Sequence, residues 1–98
     1  MDEITLINLL NKICDRSGHL TWKLRCNYQD ETSPVMQVWL YGTSDHRTVS
    51  TIVFRMETGM VISGQHRGVV AFRHSTNLID ALLEILFFEN SRSAVSLN

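Results

Sequence analysis

Apolar residues recur every three or four positions at the start of the chain. Ile4, Ile7, Leu10 and Cys14 form a stripe that Leu6, Leu9 and Ile13 widen, the pattern of an amphipathic helix. Asp2 stands where an N-cap belongs and Gly18 where a C-cap glycine belongs, so the pattern predicts a helix over residues 3–16. From Leu20 the period falls to two. Leu20, Trp22, Leu24, Cys26 and Tyr28 alternate with Thr21, Lys23, Arg25 and Asn27, which reads as a half-buried strand. Further strands are predicted over residues 35–41, 49–56, 60–63 and 69–73. Glu57-Thr58-Gly59 reads as a three-residue hairpin loop with its glycine at positive φ, and residues 64–68 as a longer loop. A second helix follows, capped by Ser75 or Thr76, with Asp80 in its first turns where an acid suits the helix dipole.

The expected architecture is one α+β domain over residues 1–90. A helix, a five-stranded antiparallel meander and a helix (αβββββα) follow one another, with both helices on one face of the sheet. Residues 91–98 are small and polar and are expected to fray. The element order resembles that of several small regulatory domains, kinase-associated domains among them. The resemblance is one of order alone, and no residue or role is carried over from it.

Pairing Met56 with Met60, Phe54 with Ile62, Ile62 with Val70 and Cys26 with Val38 gathers one apolar face. It holds Leu20, Trp22, Leu24, Cys26, Met36, Val38, Leu40, Ile52, Phe54, Met56, Met60, Ile62, Val70 and Phe72. The other face holds Lys23, Arg25, Gln37, Trp39, Tyr41, Thr51, Val53, Arg55, Val61, Ser63, Ala71 and Arg73. Four cations stand there with no acid among them. In this register Arg25 lies beside Trp39 and Lys23 beside Tyr41.

Charge sharpens that asymmetry. Nine Lys+Arg against ten Asp+Glu give net −1, which argues against a strongly basic nucleic-acid protein. Yet residues 1–15 carry −2, residues 16–73 carry +3 and residues 74–98 carry −2. Basic and aromatic side chains on an open sheet are what single-strand binders use, but the same side chains also serve as a solvated or protein-contact face. Lys23, Arg25, Trp39, Tyr41, Arg55 and Arg73 are therefore the candidate binding residues of the sheet.

The second helix is the oddity. Leu78, Ile79, Leu82, Leu83, Ile85, Leu86, Phe87 and Phe88 surround most of its circumference and leave Asp80, Glu84 and Glu89 as a narrow acidic edge. A helix lying on a sheet needs one apolar stripe. The excess marks Leu83, Phe87 and Phe88 as a candidate interface, against the alternative of a helix wedged on two sides.

Chemistry has little to stand on. Ser44-Asp45-His46 is contiguous and cannot converge as a triad, and no phosphate-cradling glycine loop appears. Cys14, His19 and Cys26 lack zinc spacing, and both cysteines fall on apolar stripes. His46-Arg47, His66-Arg67 and Arg73-His74 set imidazole beside guanidinium at three strand ends, a pairing that can clamp an anion. Loop tips, however, collect polar residues anyway. No catalytic residue, metal, cofactor or small-molecule substrate is expected. No apolar run exceeds four residues, so no membrane span is expected. The acidic Met1-Asp2-Glu3 start lacks the plan of a secretory leader, which makes the cytoplasm the expected compartment. The expected function is a small non-enzymatic protein-interaction module, an adaptor, regulator or inhibitor that binds another protein or itself as a homodimer. The alternative is a nucleic-acid-binding protein that uses the basic sheet face.

Overall fold

The computed structural model describes residues 2–27, 34–72 and 77–96, with side chains for 2–26, 34–69 and 77–91. The chain is α+β: a helix α1 (Glu3–Ser17), antiparallel strands β1 (Leu20–Asn27), β2 (Val35–Gly42), β3 (Thr48–Arg55), β4 (Val61–His66) and β5 (Val69–Phe72), and a helix α2 (Leu78–Ser96). The sheet order is β1-β2-β3-β4-β5, a meander. Each strand pairs with its sequence neighbour because the short connections leave no other partner within reach.

The ends of α1 form as the sequence dictates. Asp2 Oδ1 accepts from the Thr5 amide at 2.7 Å, and Gly18 closes the helix at φ 76° with its N–H on the Cys14 carbonyl, a left-handed cap that costs glycine little. Leu6, Leu10 and Ile13 are buried. Ile4, expected on the stripe, is exposed. At the start of α2 the expected caps Ser75 and Thr76 lie outside the described residues. Among the described residues Asn77 caps the start, its Oδ1 accepting from the Ile79 amide at 2.9 Å. α2 continues to Ser96, into the stretch read from composition as a tail.

Both helices pack on the same face of the sheet and share one core. Leu6, Leu10 and Ile13 of α1 and Leu78, Ala81, Leu82, Ile85 and Leu86 of α2 meet Leu20, Met36, Val38, Leu40, Ile52 and Phe54. Trp22, Leu24, Cys26 and Met56, expected inside, are half-buried against that cluster.

The register departs from expectation in three of the hairpins. In the first hairpin the partners are Cys26↔Met36, Leu24↔Val38 and Lys23↔Trp39. This differs by two residues from the expected pairing, because the ladder continues to Asn27↔Val35 before the chain turns. An even shift preserves which side chains face the core. In the third hairpin the shift is odd. The Arg55 amide donates to the Met60 carbonyl and the Gly59 amide to the Arg55 carbonyl, so the loop opens one residue earlier than expected. Gly59 takes φ 73° as foreseen. Phe54 then faces Val61, and a β-bulge restores Val53↔Ser63. The bulge corrects three assignments: Val61 is core, only 1% exposed, while Met60 and Ile62 are exposed. An extra residue in one strand reverses inside and outside on one side of it.

Residues 64–66, expected in a loop, are strand. The turn is only Arg67-Gly68, at φ 50° and 80°, the positive values a two-residue type I′ hairpin requires. β5 pairs Gly64↔Phe72 and Gln65↔Val70, not Ile62↔Val70 as expected, because β4 runs on to His66 before the chain turns. The side chains expected at Val70, Ala71 and Phe72 lie outside the described set, and Arg73 lies outside the described residues. Among the described residues, no helix is long and apolar enough to cross a membrane.

Candidate functional site

The outer face of α2 carries the candidate interface. Ile79, Leu83 and Phe87 follow one another at four-residue spacing, one row on a helix surface, and run from 40% exposed at Ile79 to 68% at Phe87. Phe88 is exposed beside them. Its ring packs edge-on against Phe87 at 6.1 Å and stacks on His66 at 6.2 Å, 29° from parallel. Eight large apolar side chains stand exposed among the described residues, and four of them belong to α2. Leu83, Phe87 and Phe88 therefore come together on one solvent-facing surface. Asp80 and Glu84, also exposed, stand in the adjacent row.

Glu89 does not belong to that acidic edge. It is 1% exposed, because it continues the buried row of Leu82 and Ile85 at seven- and four-residue spacing. Its carboxylate meets three side chains from two other parts of the chain at one end of the sheet. Arg67 holds it with two bonds, Nε to Oε2 at 2.9 Å and Nη2 to Oε1 at 2.5 Å. His19 Nε2 lies 3.0 Å from Oε1 and His66 Nε2 lies 3.2 Å from Oε2. His19 Nδ1 lies 2.9 Å from the Ser17 carbonyl. Both atoms facing the His19 ring are acceptors, so its two bonds coexist only when both ring nitrogens carry hydrogen.

Burial alone raises the Glu89 pKa. The Arg67 and His19 hydrogen bonds and the Arg67 and His66 charges lower it further than burial raises it, from 4.5 to about 2. The His66-Arg67 pair thus clamps an anion, as its chemistry allows, and that anion is the protein's own carboxylate. The loop pattern of residues 64–68 does not signal this, because the strand runs to His66 and only Arg67-Gly68 turn. The signal that could have found it is phase, since Glu89 falls on the core side of α2 whatever its charge.

The open face of the sheet carries Lys23 and Arg25, both exposed, with Trp39 and Tyr41 half-buried. Lys23 lies opposite Trp39 and Arg25 opposite Gln37, not opposite Tyr41 and Trp39 as expected. Arg55 is half-buried at the far end of β3. Lys23, Trp39, Tyr41, His46 and Thr48 line one shallow concavity. Gln37, Trp39, Thr51, Val53 and Ser63 are among those lining a second, so Trp39 is the wall common to both.

His19, His66 and Glu89 are donor types that zinc accepts, but the Arg67 guanidinium already occupies both carboxylate oxygens. No group of His, Cys, Asp and Glu suited to a metal ion occurs among the described residues. Cys14 is half-buried, and burial together with Asp15 pushes its thiol up to about 11, away from the reactive thiolate. No family model matches the chain, and neither a curated protein nor a solved structure matches it.

Proposed function

We propose that this chain is a small, non-enzymatic protein-interaction module, acting as an adaptor, regulator or inhibitor. Its contact surface is the outer face of α2, with Leu83, Phe87 and Phe88 at the centre. One observation carries the reading: a helix that already buries a full apolar row exposes a second one, Ile79–Leu83–Phe87. Contiguous exposed apolar patches mark interaction surfaces. Anchors one helical turn apart are how helices are recognised in grooves or by other helices, and aromatic side chains dominate the energetics of such contacts.

Site-directed photo-crosslinking tests this in cells. A photoreactive amino acid placed at Leu83 gives discrete protein adducts, whereas the same group at the exposed Asn8 of α1 gives none. Equal adducts from both positions would overturn the assignment.

A second reading rests on the concavity that groups Lys23, Trp39, Tyr41 and His46. If a single-stranded nucleic acid lies there, oligonucleotide affinity falls steeply with salt. Trp39→Ala then costs about 1–3 kcal/mol through the lost stacking.

A further inference from the structure

The charges beside the apolar row of α2 narrow the kind of partner, an inference that rests on the docking reading above. Ile79 to Phe87 spans about 12 Å of helix. Asp80 and Glu84 each follow an anchor by one residue, so two exposed carboxylates run alongside the row. The remaining described acid of α2, Glu89, points inward and is neutralised by Arg67, and none of the α2 residues whose side chains are described (78–91) is a cation.

This arrangement disfavours a second copy. Two α2 helices packed antiparallel about Leu83 bring Glu84 beside its counterpart. Packed parallel in register they set the two acid rows on opposite flanks of the contact, where neither row meets a described cation of α2. Like charges held together across an interface are a device against the wrong partner. An anionic membrane meets the same repulsion. A cationic helix meets none, since apolar anchors at four-residue spacing lie along the row while Lys or Arg beside them reach the two carboxylates. We infer that the outer face of α2 receives a basic amphipathic helix from another protein.

The probe is a synthetic amphipathic peptide about 18 residues long, enough to form a helix, with Leu anchors and Lys flanks. A companion peptide has Glu in place of every Lys. Calorimetric titration into the full chain is expected to show the Lys peptide binding at least tenfold more tightly. The double variant D80K/E84K, altered only at exposed positions, reverses that order while circular dichroism stays unchanged. Equal affinities for the two peptides, or an order that D80K/E84K leaves intact, overturns the inference. So does light scattering that finds a dimer abolished by Leu83→Ser. The docking reading itself is judged separately. If L83S/F87S abolishes both peptides while the charge swap does nothing, the face docks but not by charge. If L83S/F87S leaves the Lys peptide bound as before, the face is not the docking site.

Discussion

On its inner side α2 sets Leu78, Ala81, Leu82, Ile85 and Leu86 into the core and adds a carboxylate to the same row, Glu89. On its outer side it gives water Ile79, Leu83, Phe87 and Phe88. Residue type alone would sort these the other way, with the acid outside and the aromatics inside. Helical phase overrides residue type, and each side then needs its own physical account. Inside, burying a carboxylate is costly unless it is paired and hydrogen-bonded, and Arg67, His19 and His66 meet that need. Outside, Phe88 stacks on His66, whereas the exposure of Ile79, Leu83 and Phe87 is what the proposed docking surface accounts for.

The largest expected difference between the two sides lies in adjacent leucines. Leu82→Ala removes a fully buried side chain and should cost about 2–5 kcal/mol, a large share of a domain's stability. The measurement is urea unfolding. Leu83→Ala, one residue on, should cost far less. Equal losses would mean that α2 is wedged on both sides and that its outer face is no surface at all.

Glu89→Gln comes next. It keeps the shape and removes the charge that Arg67 and His19 face. A buried pair broken at one partner costs about 3–5 kcal/mol. Arg67 and His19 are 38% and 39% exposed and reach water, so about 2–3 kcal/mol is expected here. Acid sharpens the point. The folded pKa of Glu89 lies below its ordinary value, at about 2 against 4.5. Its stabilising contribution is therefore complete above pH 4.5 and is lost as pH falls toward 2. The stability gap between the parent chain and Glu89→Gln should narrow over that window. A gap independent of pH would show that the carboxylate acts only by shape.

Asn77→Ala should cost about 1 kcal/mol by freeing the Ile79 amide at the head of α2, read in the same unfolding assay. It separates the stability of the helix start from that of the clamp twelve residues on.

How much of this was legible follows from what each element depends on. The caps of α1 at Asp2 and Gly18, the positive φ of Gly59 and the core role of Phe54 depend on local residue chemistry and could be read directly. So could the exposed cluster of Leu83, Phe87 and Phe88, because excess apolar surface on a helix has few places to go. The fate of Val61 and Ile62 could not. It turns on whether the hairpin closes at Arg55 or Met56, a choice one residue wide that a bulge then hides from the rest of the ladder. Glu89 is illegible for a different reason, since its three partners lie far away in sequence and two of them fall in a segment whose pattern reads as a loop. The basic face was legible as a set of positions but not as neighbours. Lys23 faces Trp39 rather than Tyr41, which decides what a ligand stacked on the indole would meet.

The smallest effect on stability falls on the residues that the proposed docking surface uses. Leu83→Ser and Phe87→Ser replace exposed side chains and should change unfolding free energy by about 0.5 kcal/mol or less each. The buried row, the Asn77 cap and the Glu89 clamp all remain in place. Ser has a lower helix propensity than Leu, by a few tenths of a kcal/mol, so any residual loss should match that of Lys12→Ser on α1, an exposed helical site whose residue has a propensity close to that of Leu. Crosslinking from Phe88 should nonetheless vanish in the double variant. A variant that keeps its stability and its contacts would leave the outer row as mere surface, and attention would move to Trp39 and Lys23. One that loses several kcal/mol would return Leu83 and Phe87 to the fold, and the contrast between the two sides of α2 would fail.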